Sequence, residues 1–481
     1  MSDTKNTKEI VLTANQQDAL NKLVEFVDND KRVFILKGYA GTGKTTLMKK
    51  LIEVLQKKKR SYNLWASTGR AAKILTNATG VKADTIHSGI YHYTDFNQDL
   101  EEVSQKLQQN RVDKTGQLFL KFELTPIPTD KQNKRNLYII DESSMISDIE
   151  DTAVTQAMFG SGKLLNDMLS YDSNGKFVFV GDICQLPPVK QDISPALNPY
   201  YFKKCYNIDA EETELRNIMR QAEGNDIIHA SNKVRNLYHS VPNAKWGMLP
   251  LKGYQNIKLY PETVSLINAY IRMVKKNSFN EATMICRSNK RNNELTEILR
   301  PAMGKTGEIR EGDLLLVTQN NYITGLMNGD MVTVEWVDTT VTQRAGLSFR
   351  QIKVKELFTQ KTYSQLLLED VLYSHASNLN AEQQKGLFID FFMRMKAKNI
   401  RQNNSQFKEY MFIDPYLNAL RASYGYALTC HKAQGGEWNH VFLDMPRNMT
   451  LNPTPSVFQW VYTAMTRARI KLHIVNDFFI Q

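Results

Sequence analysis

The segment Gly38-Tyr-Ala-Gly-Thr-Gly43-Lys44-Thr45 constrains this chain more than any other. It has the spacing GxxxxGK[ST]. It follows a short apolar run, Val33 to Lys37, and opens a stretch of helical periodicity, Thr45 to Leu55. A strand, a glycine-rich turn and a helix in that order make a cradle for phosphate. The glycines let backbone N–H groups converge on phosphate oxygens, and the helix N-terminus adds positive potential. The expected nucleotide contacts are Gly38, Ala40, Gly41, Thr42, Gly43, Lys44, Thr45 and Thr46. Lys44 is placed to reach the β and γ phosphates and Thr45 to ligate Mg²⁺.

Strand–helix alternation continues downstream. Tyr62 to Ser67, Leu137 to Ile140 and Phe177 to Val180 are further strand candidates, and Arg70 to Leu75 reads as a helix. Apolar runs separated by helices predict an α/β fold with a parallel sheet buried on both faces. Ligands of such sheets sit at the carboxyl ends of the strands. There the sequence supplies Tyr138-Ile-Ile-Asp141-Glu142, expected on a neighbouring strand. Asp141 is the expected metal ligand, and Glu142 the carboxylate that polarises an attacking water.

Residues 89–135 break this alternation. They are polar, and Gln117 to Leu124 alternates like one arm of a hairpin, so they read as an insertion. A second α/β unit is expected from about residue 225, with strands at Thr283 to Cys286, Tyr424 to Leu428 and Val441 to Leu443. Residues 310–360 look all-β, with strands at Leu314 to Val317, Met331 to Val337 and Gln351 to Val354. Residues 381–411 look helical and basic. Leu387, Phe388, Phe391, Phe392 and Met395 recur there at the spacing of a core-facing stripe.

Composition narrows the class. Of 481 residues, 42% are hydrophobic and 23% charged, which excludes wholesale disorder. Cys184, Cys205, Cys286 and Cys430 form no CxxC pair, which excludes a zinc ribbon and predicts reduced, mostly buried thiols. Lys and Arg number 61 against 50 Asp and Glu, and the net charge of +11 suits a polyanionic partner. No apolar run nears the roughly 18 residues of a membrane span, and residues 1–9 lack a signal or transit pattern. A soluble intracellular chain without a membrane partner is expected.

The remaining motifs occur in a telling order. Leu12-Thr13-Ala-Asn-Gln16 precedes the phosphate loop, and the Gln16 amide offers the donor and acceptor that match adenine N6 and N7. No NKxD guanine-reading motif occurs. Then come Ser67-Thr68-Gly69-Arg70-Ala71-Ala72-Lys73, Thr85-Ile86-His87-Ser88, Gly181-Asp182-Ile-Cys-Gln185-Leu186-Pro187-Pro188-Val189 and Met219-Arg220-Gln221. Far downstream lie Thr429-Cys-His431-Lys432-Ala433-Gln434-Gly435 and Tyr462-Thr-Ala464-Met-Thr466-Arg467-Ala468-Arg469. From Leu12 to about Val475 this set resembles the superfamily 1 helicases, specifically the RecD/Dda-like group that moves 5′ to 3′ on single-stranded DNA.

The resemblance implies two RecA-like lobes. Lobe 1A would comprise residues 1–88 and 136–224, with a pin insertion 1B at 89–135. Lobe 2A would comprise 225–309 and 416–481, with an insertion 2B at 310–415 that is SH3-like to about 365 and helical and basic beyond. It implies an ATP-dependent DNA helicase using ATP and Mg²⁺. Gln185 would sense the γ-phosphate, Arg220 and Arg467 would be arginine fingers, and Gly435 and Glu437 would contact the nucleotide. Thr68, Arg70, His87, His431 and Lys432 would line the DNA track, with Phe119 as the pin's stacking wedge at the single-strand/duplex junction. The partners implied are single-stranded DNA, that junction and a single-strand-binding protein, the helicase acting as a monomer of bacterial or phage origin.

Two departures stand out. The helicases of telomere and mitochondrial maintenance carry a Phe-Gly-Gly pattern before GDxxQLPPV, whereas this chain reads Asn174-Gly-Lys-Phe-Val-Phe-Val there. That sets it apart from that branch. Residues 366–415 match no motif, and Lys385, Arg394, Lys396, Lys398, Arg401 and Lys408 give them a role in bridging to the pin or guiding DNA. The same motifs also suit a translocase that strips bound proteins, the motor subunit of a recombination nuclease, or an RNA substrate.

Overall fold

Alternate residues of each strand in the first half feed two opposite cores. Phe34, Leu36, Leu64, Ala66, Ile139 and Val178 face one side, packed by the helices Ala14–Asp28, Lys44–Lys57 and Gly69–Thr79. Val33, Ile35, Trp65, Ile140 and Phe177 face the other, packed by Leu165, Met168 and Phe202. The period of two thus buries a sheet on both faces. The structure, a computed structural model, describes residues 11–109, 116–128, 135–151, 156–217, 225–276, 279–374, 376 and 378–481.

The first sheet runs Asp84–Thr85, Asn63–Ala66, Leu137–Asp141, Lys176–Gly181, Val33–Gly38, Ala210–Leu215, all parallel. Its order corrects one expectation. Asp141 is not on the strand beside the phosphate loop. The chain crosses over through the helix Leu164–Tyr171 and returns as Lys176–Gly181 in the gap between them. Lys37 then pairs with Gly181, so Asp182 is the acid next to the loop.

The second sheet runs Ile257–Tyr260, Ala468–Val475, Trp438–Leu443, Ala282–Cys286, Leu428–Thr429, also parallel. The expected single strand Tyr424 to Leu428 is divided between two sheets. Ala422–Tyr424 pairs antiparallel with Leu314–Val317, and only Leu428–Thr429 joins the parallel sheet. The Gly425 N–H donates to the Leu314 carbonyl at 2.9 Å, the last bond before the chain changes sheets. The β module therefore has five strands, Thr362–Leu368, Leu347–Glu356, Met331–Arg344, Leu314–Val317 and Ala422–Tyr424, the last from beyond residue 415.

The first insertion is more than a hairpin. Tyr91–Phe96 and Leu120–Leu124 pair antiparallel with the helix Leu100–Gln108 between them, and Ala157–Phe159 adds a third strand. Parts of its connections, 110–115 and 129–134, lie outside the described residues. The helices Ala381–Ala397 and Ser405–Ile413 bury the expected stripe, Leu387 to Met395, but against the other lobe's insertion. Phe388 meets Phe96 edge-on at 5.0 Å within a core that also holds Tyr93, Leu118 and Phe122. The basic residues follow suit. Lys396 pairs with Glu101 at 2.6 Å, Lys408 donates to the Tyr93 carbonyl at 3.1 Å, and Arg394 is held by Asp390 and Asp414.

All four cysteines are free; Cys184, Cys286 and Cys430 are buried and Cys205 is exposed. Among the described residues no helix is long and apolar enough to cross a membrane. The second sheet holds a histidine pair, His473 buried and His440 half-buried. His473 Nε2 lies 3.1 Å from His440 Nδ1, Tyr260 Oη lies 3.0 Å from His473 Nδ1, and Phe442 stacks at 4.0 Å. Burial first, then His440, Lys258 and Lys471, push the His473 pKa down to about 3. A histidine held neutral in the fold takes up its proton on unfolding near pH 6.5, so stability is lost as pH falls below that value. The expected slope is up to about 1.4 kcal/mol per pH unit. Urea denaturation at pH 7 and pH 5 measures it, and His473→Gln should flatten it.

Candidate active site

The phosphate loop closes on itself through backbone geometry. Gly43 caps the helix Lys44–Lys57 at φ 83°, a left-handed conformation open to glycine at little steric cost. The Lys44 ammonium donates to the Gly38 carbonyl at 2.7 Å and the Tyr39 carbonyl at 3.2 Å, so it lies folded over the loop mouth. Gln16 is buried and braces the loop from behind. Its amide donates to the Thr42 carbonyl at 3.0 Å and accepts from the Thr13 N–H at 3.0 Å. Thr45 is exposed and Thr46 half-buried at the start of the helix.

Asp141 and Lys44 are close enough to interact. Burial and the neighbouring Glu142 carboxylate push the Asp141 pKa up to about 7, while the Glu142 N–H and Lys44 oppose the shift. Glu142 sits at φ 51°, in the left-handed region rarely used by non-glycine residues and often found at active sites. A half-buried carboxylate that resists ionisation gains from a nearby cation. With the hydroxyl of Thr45, it offers the hard oxygen donors Mg²⁺ prefers.

The second lobe clamps the loop's neighbour. Tyr462 is fully buried on the helix Pro455–Met465. Its hydroxyl accepts from the Ala40 N–H of the phosphate loop at 2.9 Å and donates to Asp182 at 2.8 Å. Leu186 N–H donates to Thr463 Oγ1 at 3.0 Å, and the Gln434 amide donates to the Leu186 carbonyl at 3.1 Å. Gln459 donates to the carbonyls of Ile183 and Gln185. The GDxxQLPPV turn is thus held mainly by lobe 2, and Gln185 presents a buried Oε1 without a hydrogen-bond partner.

Two guanidinium groups converge beside this clamp. Arg467 is 5% exposed and donates to the carbonyls of Thr463 and Gly436 and to Thr466 Oγ1, all in its own lobe. Arg70 is placed differently from the expected DNA track. It lies in the interface over Trp438, 4.4 Å from the ring, with one nitrogen buried and unpartnered. Burial lowers its pKa to about 10, Asp330 opposes the shift, and Arg467 adds to it. A side chain at Gly436 would strike both Trp438 and Arg70, which is why the backbone there carries none. Gly435 packs on Ala71, and Glu437 lies on the surface 4.0 Å from Arg469.

The other expected residues are scattered more widely. Thr68 caps the helix Gly69–Thr79 by accepting from the Ala71 N–H. His87 packs against Tyr91 and Phe159, and burial lowers its pKa and that of His431. Phe119 lies half-buried just before the strand Leu120–Leu124, its N–H donating to Asn97 Oδ1 at 2.9 Å. Arg220 lies outside the described residues. Sequence reasoning assigned no role to Tyr462 or to Lys73, whose ammonium pairs with Asp330 of the β module. Tyr462 lay inside a motif already noted, but its partner is 422 residues away.

A phosphate loop, an acidic pair one strand removed and an arginine, Arg467, from the second α/β unit are the parts of a two-lobed P-loop nucleoside triphosphatase. The family comparisons carry this further. A family model described as an AAA domain matches residues 11–240, and one described as a UvrD-like helicase C-terminal domain matches residues 424–475. The chain is 24% identical to the ATP-dependent RecD2 DNA helicase of Deinococcus radiodurans over 91% of this chain and 46% of that one. It is 41% identical to the ATP-dependent DNA helicase dda of Enterobacteria phage T4 over 78 residues, 16% of this chain and 18% of the other. The chain thus spans less than half of either relative. A solved structure of Bacteroides Pif1 bound to single-stranded DNA aligns at a TM-score of 0.49 and 17% identity, covering 98% of this chain and 95% of that one. The chain is thus similar in sequence to RecD2- and Dda-type DNA helicases, with an AAA-type first part and a UvrD-like C-terminal segment.

Removing the Tyr462 hydroxyl leaves a buried carboxylate and a loop N–H each short of a partner, at about 1.5–3 kcal/mol for the charged bond. Tyr462→Phe should lower the kcat of nucleotide hydrolysis by about tenfold or more. Steady-state kinetics beside a thermal melt checks this, because simple loss of stability would lower the melting temperature and leave kcat unchanged.

Proposed function

We propose that this chain is an ATP-dependent 5′→3′ DNA helicase that translocates on single-stranded DNA. The observation that carries the reading is the double contact of Tyr462 with Ala40 and Asp182. It ties the nucleotide loop of one lobe to the helix Pro455–Met465 of the other, two residues before Arg467. Whatever the loop binds is then felt by both lobes, and a strand lying across both would be moved when they shift.

The residues divide the work as follows. Lys44 swings from its own loop carbonyls to the β and γ phosphates, and Gln16, besides steadying the loop, is proposed to read adenine with the N–H and lone pair that its bonds to Thr42 and Thr13 leave unused. Thr45 and Asp141 would hold Mg²⁺, which supplies positive charge to the phosphate oxygens when bound. Glu142 draws a proton from the attacking water. Gln185 reads the γ-phosphate by donating from its amide nitrogen, which leaves its unpartnered Oε1 to accept from the attacking water. Arg467 exchanges carbonyl partners for phosphate oxygens, which a guanidinium binds more strongly. Arg220 is proposed as the second finger, with Gly435 and Glu437 at the nucleotide's edge. Single-stranded DNA would pass Thr68, His87, His431 and Lys432 to reach Phe119 at the duplex junction, the chain acting as a monomer. A single-strand-binding protein is the proposed partner that such a motor would meet on its track.

Paired duplexes with 5′ or 3′ single-stranded tails, ATP and Mg²⁺ test this. Unwinding of the 5′-tailed substrate alone is expected, Lys44→Ala should reduce ATP turnover to background, and unwinding that needs a 3′ tail would overturn the polarity. Phe119→Ala should reduce unwinding more than DNA-stimulated ATP hydrolysis, measured on the same preparation.

A further inference from the structure

A cavity of about 360 Å³ opens between the helix Asn289–Ala302, the β module and the short helix Glu369–Tyr373. It lies within the range of small-ligand sites, roughly 300–1,000 Å³. Its chemistry is specific. Tyr373 and Tyr424 contribute aromatic rings to its wall, Asn289 and Asn292 contribute amides, and Lys432 contributes a cation. Lys432 belongs to the Thr429-Cys-His431-Lys432 turn at the carboxyl end of Leu428–Thr429, on the proposed DNA track.

The cavity wall is also short of hydrogen bonds. Asn292 Oδ1, Ser423 Oγ and Tyr424 Oη are buried without partners, and all three residues line the cavity. Asn292 is only 4% exposed. Three such atoms in one wall are costly, because each has lost water and gained nothing in return. Arg300 does not relieve them. Its guanidinium is held by Asp313 at 3.0 Å and stacks 4.6 Å from Tyr424, which fixes that ring as a rigid wall.

Aromatic faces, amides and hydroxyls around a volume of this size, with a lysine at the border, match a base attached to a phosphate. We propose that this cavity receives one nucleobase turned out of the bound single strand, its phosphate paired with Lys432. The assignment rests on the single-strand reading above. It adds a fixed register point: one base leaves the stack and is held by Asn292, Ser423 and Tyr424 while its neighbours stay on the track. Contacts to amide and hydroxyl groups would make that position sensitive to base identity, unlike stacking alone.

The test uses the full chain and short oligothymidylates carrying a single 2-aminopurine at successive positions. One position should show an emission distinct from its neighbours. An abasic residue at that position should weaken binding about fivefold or more relative to abasic neighbours. Thr296→Phe, which fills the cavity from the helix side, should erase the distinct signal while plain oligothymidylate still binds. Uniform emission along the strand, or a distinct signal that survives Thr296→Phe, would overturn the proposal and leave the helicase reading intact. Displacement of the probe base by free thymidine monophosphate, with the strand still bound, would assign the cavity to mononucleotides and equally overturn it. Absence of any oligonucleotide binding would instead overturn the single-strand reading. Should Thr296→Phe fail to fold, the abasic series on the unaltered chain decides alone.

Discussion

One phenolic hydroxyl joins the two halves of this molecule at the point where nucleotide chemistry is expected. Tyr462 accepts from a loop N–H and donates to Asp182, a carboxylate buried away from water. Such a contact is cooperative in a simple sense. The lobes cannot separate without stranding a charge, and the loop cannot reshape without moving the lobe. Tyr39, Cys184 and Leu186 extend the same junction, because their side chains belong to the hydrophobic core of the second lobe. The boundary between lobes is therefore part of a core.

Much of the fold was legible because parallel strands buried on both faces leave uninterrupted apolar runs. Val33–Gly38, Leu137–Asp141 and Lys176–Gly181 fall within a residue or two of where the sequence put them. What periodicity could not supply was sheet order, so the neighbour of the phosphate-loop strand was misplaced. Nor could it divide Tyr424 to Leu428, five residues that look like one strand and serve two sheets. The stripe from Leu387 to Met395 announced a buried face, but nothing local says which surface covers it.

The site was legible in its loops and less so in its contacts. Local spacing locates Gly38 to Thr46 and the Asp141-Glu142 pair, since adjacent backbone geometry creates them. Arg70 shows the limit. Its neighbours mark a nucleic-acid motif, yet Trp438 and Gly436 come from residues far along the chain and enclose it in the interface. Tyr462 shows the converse, a residue within a noted motif whose importance exists only once two lobes are in place.

The shared core of the two insertions has a mechanical consequence. The lobes are fastened at the nucleotide junction and again at Phe96 and Phe388, well apart in the chain. Two fastenings turn a simple hinge into a closed linkage. Any change of angle at the first must be met by sliding, bending or twisting at the second. An aromatic core resists sliding more than it resists small rotations of its rings. In the proposed motor, displacement begun at the phosphate loop would reach the strand pair Tyr91–Phe96 and Leu120–Leu124 as a lever delivers force, with a gain set by the geometry of the frame.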